Sequence, residues 1–186
     1  MSKRFPIPAF DYERHKNLEW AAPSPLPADE QDRLKRAARA GDALAYGSYP
    51  IAAGDDFYER FRLRGPHRHV RMCLLPEREV QLVGRSHAWF IQGALVVDSI
   101  AADCGVLHDW KTPRPMNTRL GPEDGVALPG GPVYVVCSHR YSDYWIVNRT
   151  LAGGPFTPDA TGFSVLSTSD DGANDFHHCN LYFSWS

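Results

Sequence analysis

The sequence predicts a mainly β protein, α+β at most: an antiparallel sandwich or barrel of six or more strands, with one or two N-terminal helices packed outside. Three observations predict it. From Gly65-Pro66 onward, short apolar stretches alternate with polar positions at the two-residue period of a strand. Clusters of Gly, Pro, Asn and Asp separate these stretches. Helix signals are confined to the N-terminal third, and there is neither an internal repeat nor a heptad.

The first 26 residues read as an arm. Pro6, Pro8, Pro23, Pro25 and Pro27 interrupt regular structure, and Pro-Ser-Pro-Leu-Pro favours an extended path. Phe5, Phe10, Tyr12 and Trp20 give the arm apolar groups to lay on its own domain or on a second protomer. Residues 27–186 then form a single domain.

A helix is predicted over residues 27–40. Asp29, Glu30 and Asp32 suit its positive end, Arg36 and Arg39 its negative end, and Gly41 its stop. A second, short helix is predicted over 56–62, where Phe57 and Phe61 stand one turn apart. Strands follow over 69–75, 80–83 and 88–97. Residues 99–110 are ambiguous and could form a short helical turn, and the Pro- and Gly-rich stretch 111–131 reads as a long surface loop. Strands over 133–139 and 144–151 flank a turn at 140–143, and a last hairpin spans 163–168 and 176–185.

Composition excludes some partners. Apolar residues make up 43% of the 186 and charged residues 23%, with a net charge of -2. That balance gives no electrostatic case for nucleic acid or an anionic membrane. No apolar run approaches the roughly 20 residues of a membrane span. No apolar signal core follows the basic start Met-Ser-Lys-Arg, so a cytoplasmic location is expected. The four cysteines, Cys73, Cys104, Cys137 and Cys179, lack any CxxC spacing and are expected as free thiols of the core.

Histidines carry the leading functional expectation. His67 and His69 form an HxH pair, His139 ends a predicted strand, and His177 precedes Cys179 on another. Strand parity puts His139 on the face of Val133, Val135 and Cys137, and His177 on the face of Cys179, Leu181 and Phe183. Gathered at one opening, His67, His69, His139 and His177 would ligate a divalent metal such as zinc or iron and leave a position open for water. The pair lacks the cupin pattern, since Phe61 stands where the motif glycine falls and no glutamate follows at the motif spacing. The competing reading makes His67 and His69 a solvated basic edge beside Arg64 and Arg71, and the others satisfied core histidines.

Further clusters suggest other chemistry. Cys104 with His108 four residues on could serve as a thiol nucleophile, with His108 or His139 as base and Asp109 or Asp143 orienting it. Asp170, Asp171, Asn174 and Asp175 offer oxygen donors for calcium, and are also ordinary turn formers. Tyr141, Tyr144 and Trp145 with Arg140 and Arg149 suit stacking on a sugar or nucleobase.

Three functions are therefore expected. The first is a small-ligand domain with a histidine-lined pocket, acting as a metal-dependent enzyme on a small anionic molecule oriented by Arg71 or Arg140. The second is a non-catalytic inhibitor, adaptor or assembly subunit that meets a protein partner, or a second copy of itself, through the arm. The third is a cysteine-nucleophile acyl transferase or hydrolase.

Overall fold

In a computed structural model of the chain, the described residues are 48–65, 68–75, 77–86, 91–111, 118–120, 126–153, 162–167 and 179–185. The N-terminal arm and the helix expected over 27–40 lie outside them, as do His67, His177 and the acidic turn at 170–175.

Thirteen strands and one short helix are described. Their order is β1 (Ser48–Ala52), α1 (Asp55–Arg60), β2 (Leu63–Arg64), β3 (His69–Leu75), β4 (Val80–Ser86), β5 (Gln92–Val97) and β6 (Val106–Lys111). Then come β7 (Thr118–Leu120), β8 (Val126–Leu128), β9 (Gly131–Tyr141), β10 (Tyr144–Val147), β11 (Thr150–Gly153), β12 (Gly162–Ser167) and β13 (Cys179–Ser184).

The strands form two sheets. Sheet A has seven strands, in the path β1-β3-β9-β10-β2 with β5 and β6 on the free flank of β9. Sheet B has six, in the path β11-β12-β13-β4-β7 with β8 also on β4. All the pairings are antiparallel except the short one between β2 and β10.

Alternation decides what each sheet buries. Ala94, Val96, Val133, Val135 and Cys137 of sheet A meet Val80, Leu82, Leu181 and Phe183 of sheet B in the main core. Each such large side chain contributes about 1.5–3 kcal/mol on leaving water. The intervening residues of sheet A face outward, where Val70, Met72, Leu95, Val97, Tyr134 and Val136 gather with Phe57 and Tyr58 of α1. Gly54 precedes α1, Asp55 and Asp56 occupy its first turn and Arg60 its last, an arrangement that suits the helix dipole. Sheet A thus lies between sheet B and the helix.

Three elements differ from the sequence reading. Residues 106–111 are a strand, not a helical turn, because β5 offers its free edge to them. The stretch read as a long loop contains β7 and β8, both paired to β4; at three residues each, neither is long enough for alternation to be recognised. The strand predicted over 144–151 divides at Asn148 and Arg149, with β10 in sheet A and β11 in sheet B. At that crossing Asn148 donates its backbone N–H to Cys137 O at 2.8 Å. Among the described residues no helix is long and apolar enough to cross a membrane.

Candidate functional site

His139 and His108 do not converge. His139 and His108 both stand beside β5, but His139 is registered with Gln92 and His108 with Val96, on opposite flanks of the strand. Four residues of strand separate them by roughly 13 Å along β5, with two strand spacings added across it.

The His139 ring is buried and bonded within the fold. Its Nδ1 lies 2.5 Å from Asn148 Oδ1, and Asn148 Nδ2 donates to Gln92 Oε1 at 2.9 Å. An amide oxygen only accepts, so His139 Nδ1 carries the proton. Gln92 and Asn148 are buried as well. This chain of polar groups satisfies the crossing between the two sheets.

The histidine-lined metal pocket is therefore corrected, and with it the metal-dependent enzyme acting on a small anion. Among the described residues no group of three or more His, Cys, Asp or Glu could hold a metal ion. His69 opens β3 by its backbone, while His67 and His177 lie outside the described residues.

The cysteine nucleophile is corrected too. Cys104 and His108 do not share a helical turn, since His108 lies on extended β6. Cys104 is buried, and burial pushes its thiol pKa up despite the opposing charge of Arg60. Arg60 Nη1 donates to Cys104 O at 2.7 Å and to Ala102 O at 3.0 Å, closing the loop onto α1. All four cysteines are free and buried, as their spacing predicts.

Arg71 is likewise committed inside the fold. Its Nε donates to Thr150 Oγ1 at 2.8 Å and its Nη2 to Thr150 O at 2.7 Å, tying β3 of sheet A to β11 of sheet B. Burial lowers its guanidinium's hold on the proton.

Trp145 and Arg140 stand elsewhere, on the outer face of sheet A. The register places Arg140 opposite Trp145, and Gly93 between Ser138 and Lys111. The six-membered ring of Trp145 reaches across Ser138 toward Gly93. A Cβ on residue 93 would lie 3.2 Å from Trp145 Cζ3 and 3.1 Å from Ser138 Oγ. Lys111 Nζ stands 5.6 Å from the indole centroid and pairs with Asp109 at 3.2 Å.

These residues line a groove of about 460 Å³ together with Phe61, which follows α1, and Leu63 of β2. That volume falls within the roughly 300–1,000 Å³ of small-ligand sites. Asp143 lines the groove as well. Its carboxyl is held below the usual range, first by a backbone hydrogen bond and then by Ser142, so it stays an acceptor rather than an acid.

A second cavity of about 660 Å³ adjoins the groove and shares Arg62, Leu63 and Asp143 with it. Tyr144 lines it, with the Arg64 guanidinium 4.6 Å over its ring. Tyr141 is 61% exposed at the β9–β10 turn, its ring 5.8 Å from that of Tyr144.

Sequence reasoning missed Gly93, Lys111 and Ser138, and took Asp109 only as a residue orienting a catalytic histidine. Once β5, β6 and β9 are paired, two-residue parity would have placed all four on the face of Trp145. The pairing itself was not readable.

No protein-family model and no curated protein sequence matches the chain. Solved structures with a similar arrangement include a lectin of Chromobacterium violaceum, CV2L, in complex with α-methyl-fucoside, at 10% identity and a TM-score of 0.42 over 59% of this chain and 89% of that one. A high-affinity mannose-binding lectin of Ralstonia solanacearum is 14% identical, with a TM-score of 0.44 over 62% of this chain and 94% of that one. The C-terminal domain of the BC2L-C lectin from Burkholderia cenocepacia is 19% identical, with a TM-score of 0.42 over 60% and 90%. Each is described as a lectin.

Proposed function

We propose that this protein is a non-catalytic saccharide-binding module whose site is the groove on the outer face of sheet A. The observation that carries the reading is the half-buried Trp145 indole, set over Gly93 and ringed by Asp109, Lys111, Ser138 and Arg140. A sugar ring presents apolar C–H faces and a rim of hydroxyls. An indole suits the faces, and the surrounding groups suit the rim: carboxylates accept from hydroxyls, while lysine, arginine and serine donate to them. Strand-borne side chains hold this pattern more rigidly than loops would.

A half-open groove leaves much of its ligand in water, so single-site dissociation constants are expected between about 1 mM and 1 μM. Binding that weak is best detected on immobilised glycans, where multivalent display raises avidity. The labelled protein is expected to bind a subset of such glycans, and Trp145→Ala to lose about tenfold or more of the signal. If no glycan is retained, or the Trp145→Ala variant binds undiminished, the reading is wrong.

A further inference from the structure

We infer that the favoured ligand is an acidic saccharide, with its ring on Trp145 and its carboxylate or sulfate in the adjoining cavity on the side of Arg62 and Arg64. This rests on the saccharide reading above and adds the ligand's charge. The two cavities share Arg62, Leu63 and Asp143 in their linings, so a ligand longer than one ring is placed to meet both. Together they are lined by six cationic side chains and three carboxylates, in a chain whose net charge is -2. The lining is therefore net positive, opposite in sign to the chain as a whole.

The arginines are held in ways that leave donors available. Arg64 lies 4.6 Å over the Tyr144 ring and Arg68 lies 4.4 Å over Tyr58. Stacking on an aromatic face fixes the guanidinium plane without consuming the N–H groups at its edge. Arg68 does spend one edge on Asp55, at 2.8 Å. Among the described residues neither Arg62 nor Arg64 makes an ion pair. The backbone of Arg62 is pinned on both sides, its N–H donating to Glu59 O at 3.1 Å and its carbonyl accepting from Trp145 N–H at 2.9 Å. Arg62 and Trp145 are thus in fixed register, as two halves of one site would be.

Tyr58 places an unsatisfied hydroxyl beneath the stacked Arg68. It lines the same cavity, its hydroxyl is buried without a hydrogen-bond partner, and burial pushes its pKa up to about 12. The nearby Ala53 backbone opposes that shift less strongly. The hydroxyl stays protonated at any working pH. Guanidinium edges bind a planar carboxylate or a sulfate through charge-assisted hydrogen bonds, stronger than those they make to the hydroxyls of a neutral sugar.

The test uses paired oligosaccharides on one array, identical except that glucuronic acid or a glucose sulfated on its primary hydroxyl replaces glucose. The acidic members are expected to bind about tenfold tighter than the neutral one, with the preference shrinking as salt rises. Arg64→Gln, which keeps side-chain length and hydrogen bonding, is expected to reduce the acidic-to-neutral ratio toward one. The salt series on the unaltered protein decides the matter if that variant folds poorly. Trp145-dependent binding of glucose as strong as that of its acidic partners overturns the acidic preference alone. Failure of every member, neutral or acidic, overturns the saccharide reading with it. A preference for sulfate over carboxylate, or the reverse, identifies the anion and upholds the inference.

Discussion

A Cβ added to residue 93 would stand 3.2 Å from Trp145 Cζ3 and 3.4 Å from Cε3, closer than most packed side chains tolerate. Gly93 therefore allows the indole to settle on β5. The strand tolerates the glycine because its neighbours Ala94, Val96 and Leu95 bury both faces around it. Gly93→Ala is expected to cost about 1–3 kcal/mol of stability by overpacking. It should also lift the indole enough to weaken glycan binding, which urea unfolding and the array read separately. His139 teaches the opposite lesson about single residues. On sequence it is a candidate ligand; in the fold its Nδ1 proton is spent on Asn148 inside a buried chain of three side chains. An imidazole beside a cysteine on an apolar face looks the same in sequence whether it serves a metal or a neighbouring amide.

At the scale of elements, the long strands were legible and the short ones were not. β3, β5, β9 and β13 each carry six or more residues, enough for alternation to stand out. β7 and β8 have three residues each and depend on β4 for their existence. β6 is the instructive case, because its burial is uneven and it reads as indifferent sequence. Its partner fixes it: Leu95 opposite Asp109, Ala94 opposite Trp110 and Gly93 opposite Lys111. The same strand carries a pH dependence. Burial lowers the pKa of His108, against a smaller opposing pull from Asp109. The unfolded imidazole, near its ordinary value of about 6.5, then binds a proton more readily than the folded one. Above that pH both forms are neutral and stability is unaffected; as pH falls below it, stability is lost. Thermal melts between pH 7.5 and 5, a range set at about one unit or more either side of that value, are expected to show a drop that His108→Gln reduces.

For the whole molecule, the sandwich explains why the sequence pointed to the wrong face. Its apolar alternation identifies the inner faces, and His139 and Cys137 sit there, which points to a pocket at the open end of the space between the sheets. That space is filled by a continuous core from Cys73 to Trp185. The open concavity is on the reverse side of sheet A, where α1 covers only part of the face and leaves Trp145 and Arg140 beside a groove. Trp145 and Arg140 were visible as an aromatic and basic cluster because they lie close in sequence. Asp109, Lys111 and Gly93 come to them only through sheet pairing, across gaps that local patterning does not span. Fold class was thus readable from periodicity, and the site was not, because it is assembled by strand order.

The most direct measurement is a saccharide titration followed by heteronuclear NMR, using an oligosaccharide retained on the array. The indole N–H of Trp145 and the backbone amides of Gly93, Lys111 and Arg140 are expected to shift together and saturate with one dissociation constant. Shifts confined to other surfaces, with these four signals unmoved at saturation, would contradict the assignment of the site.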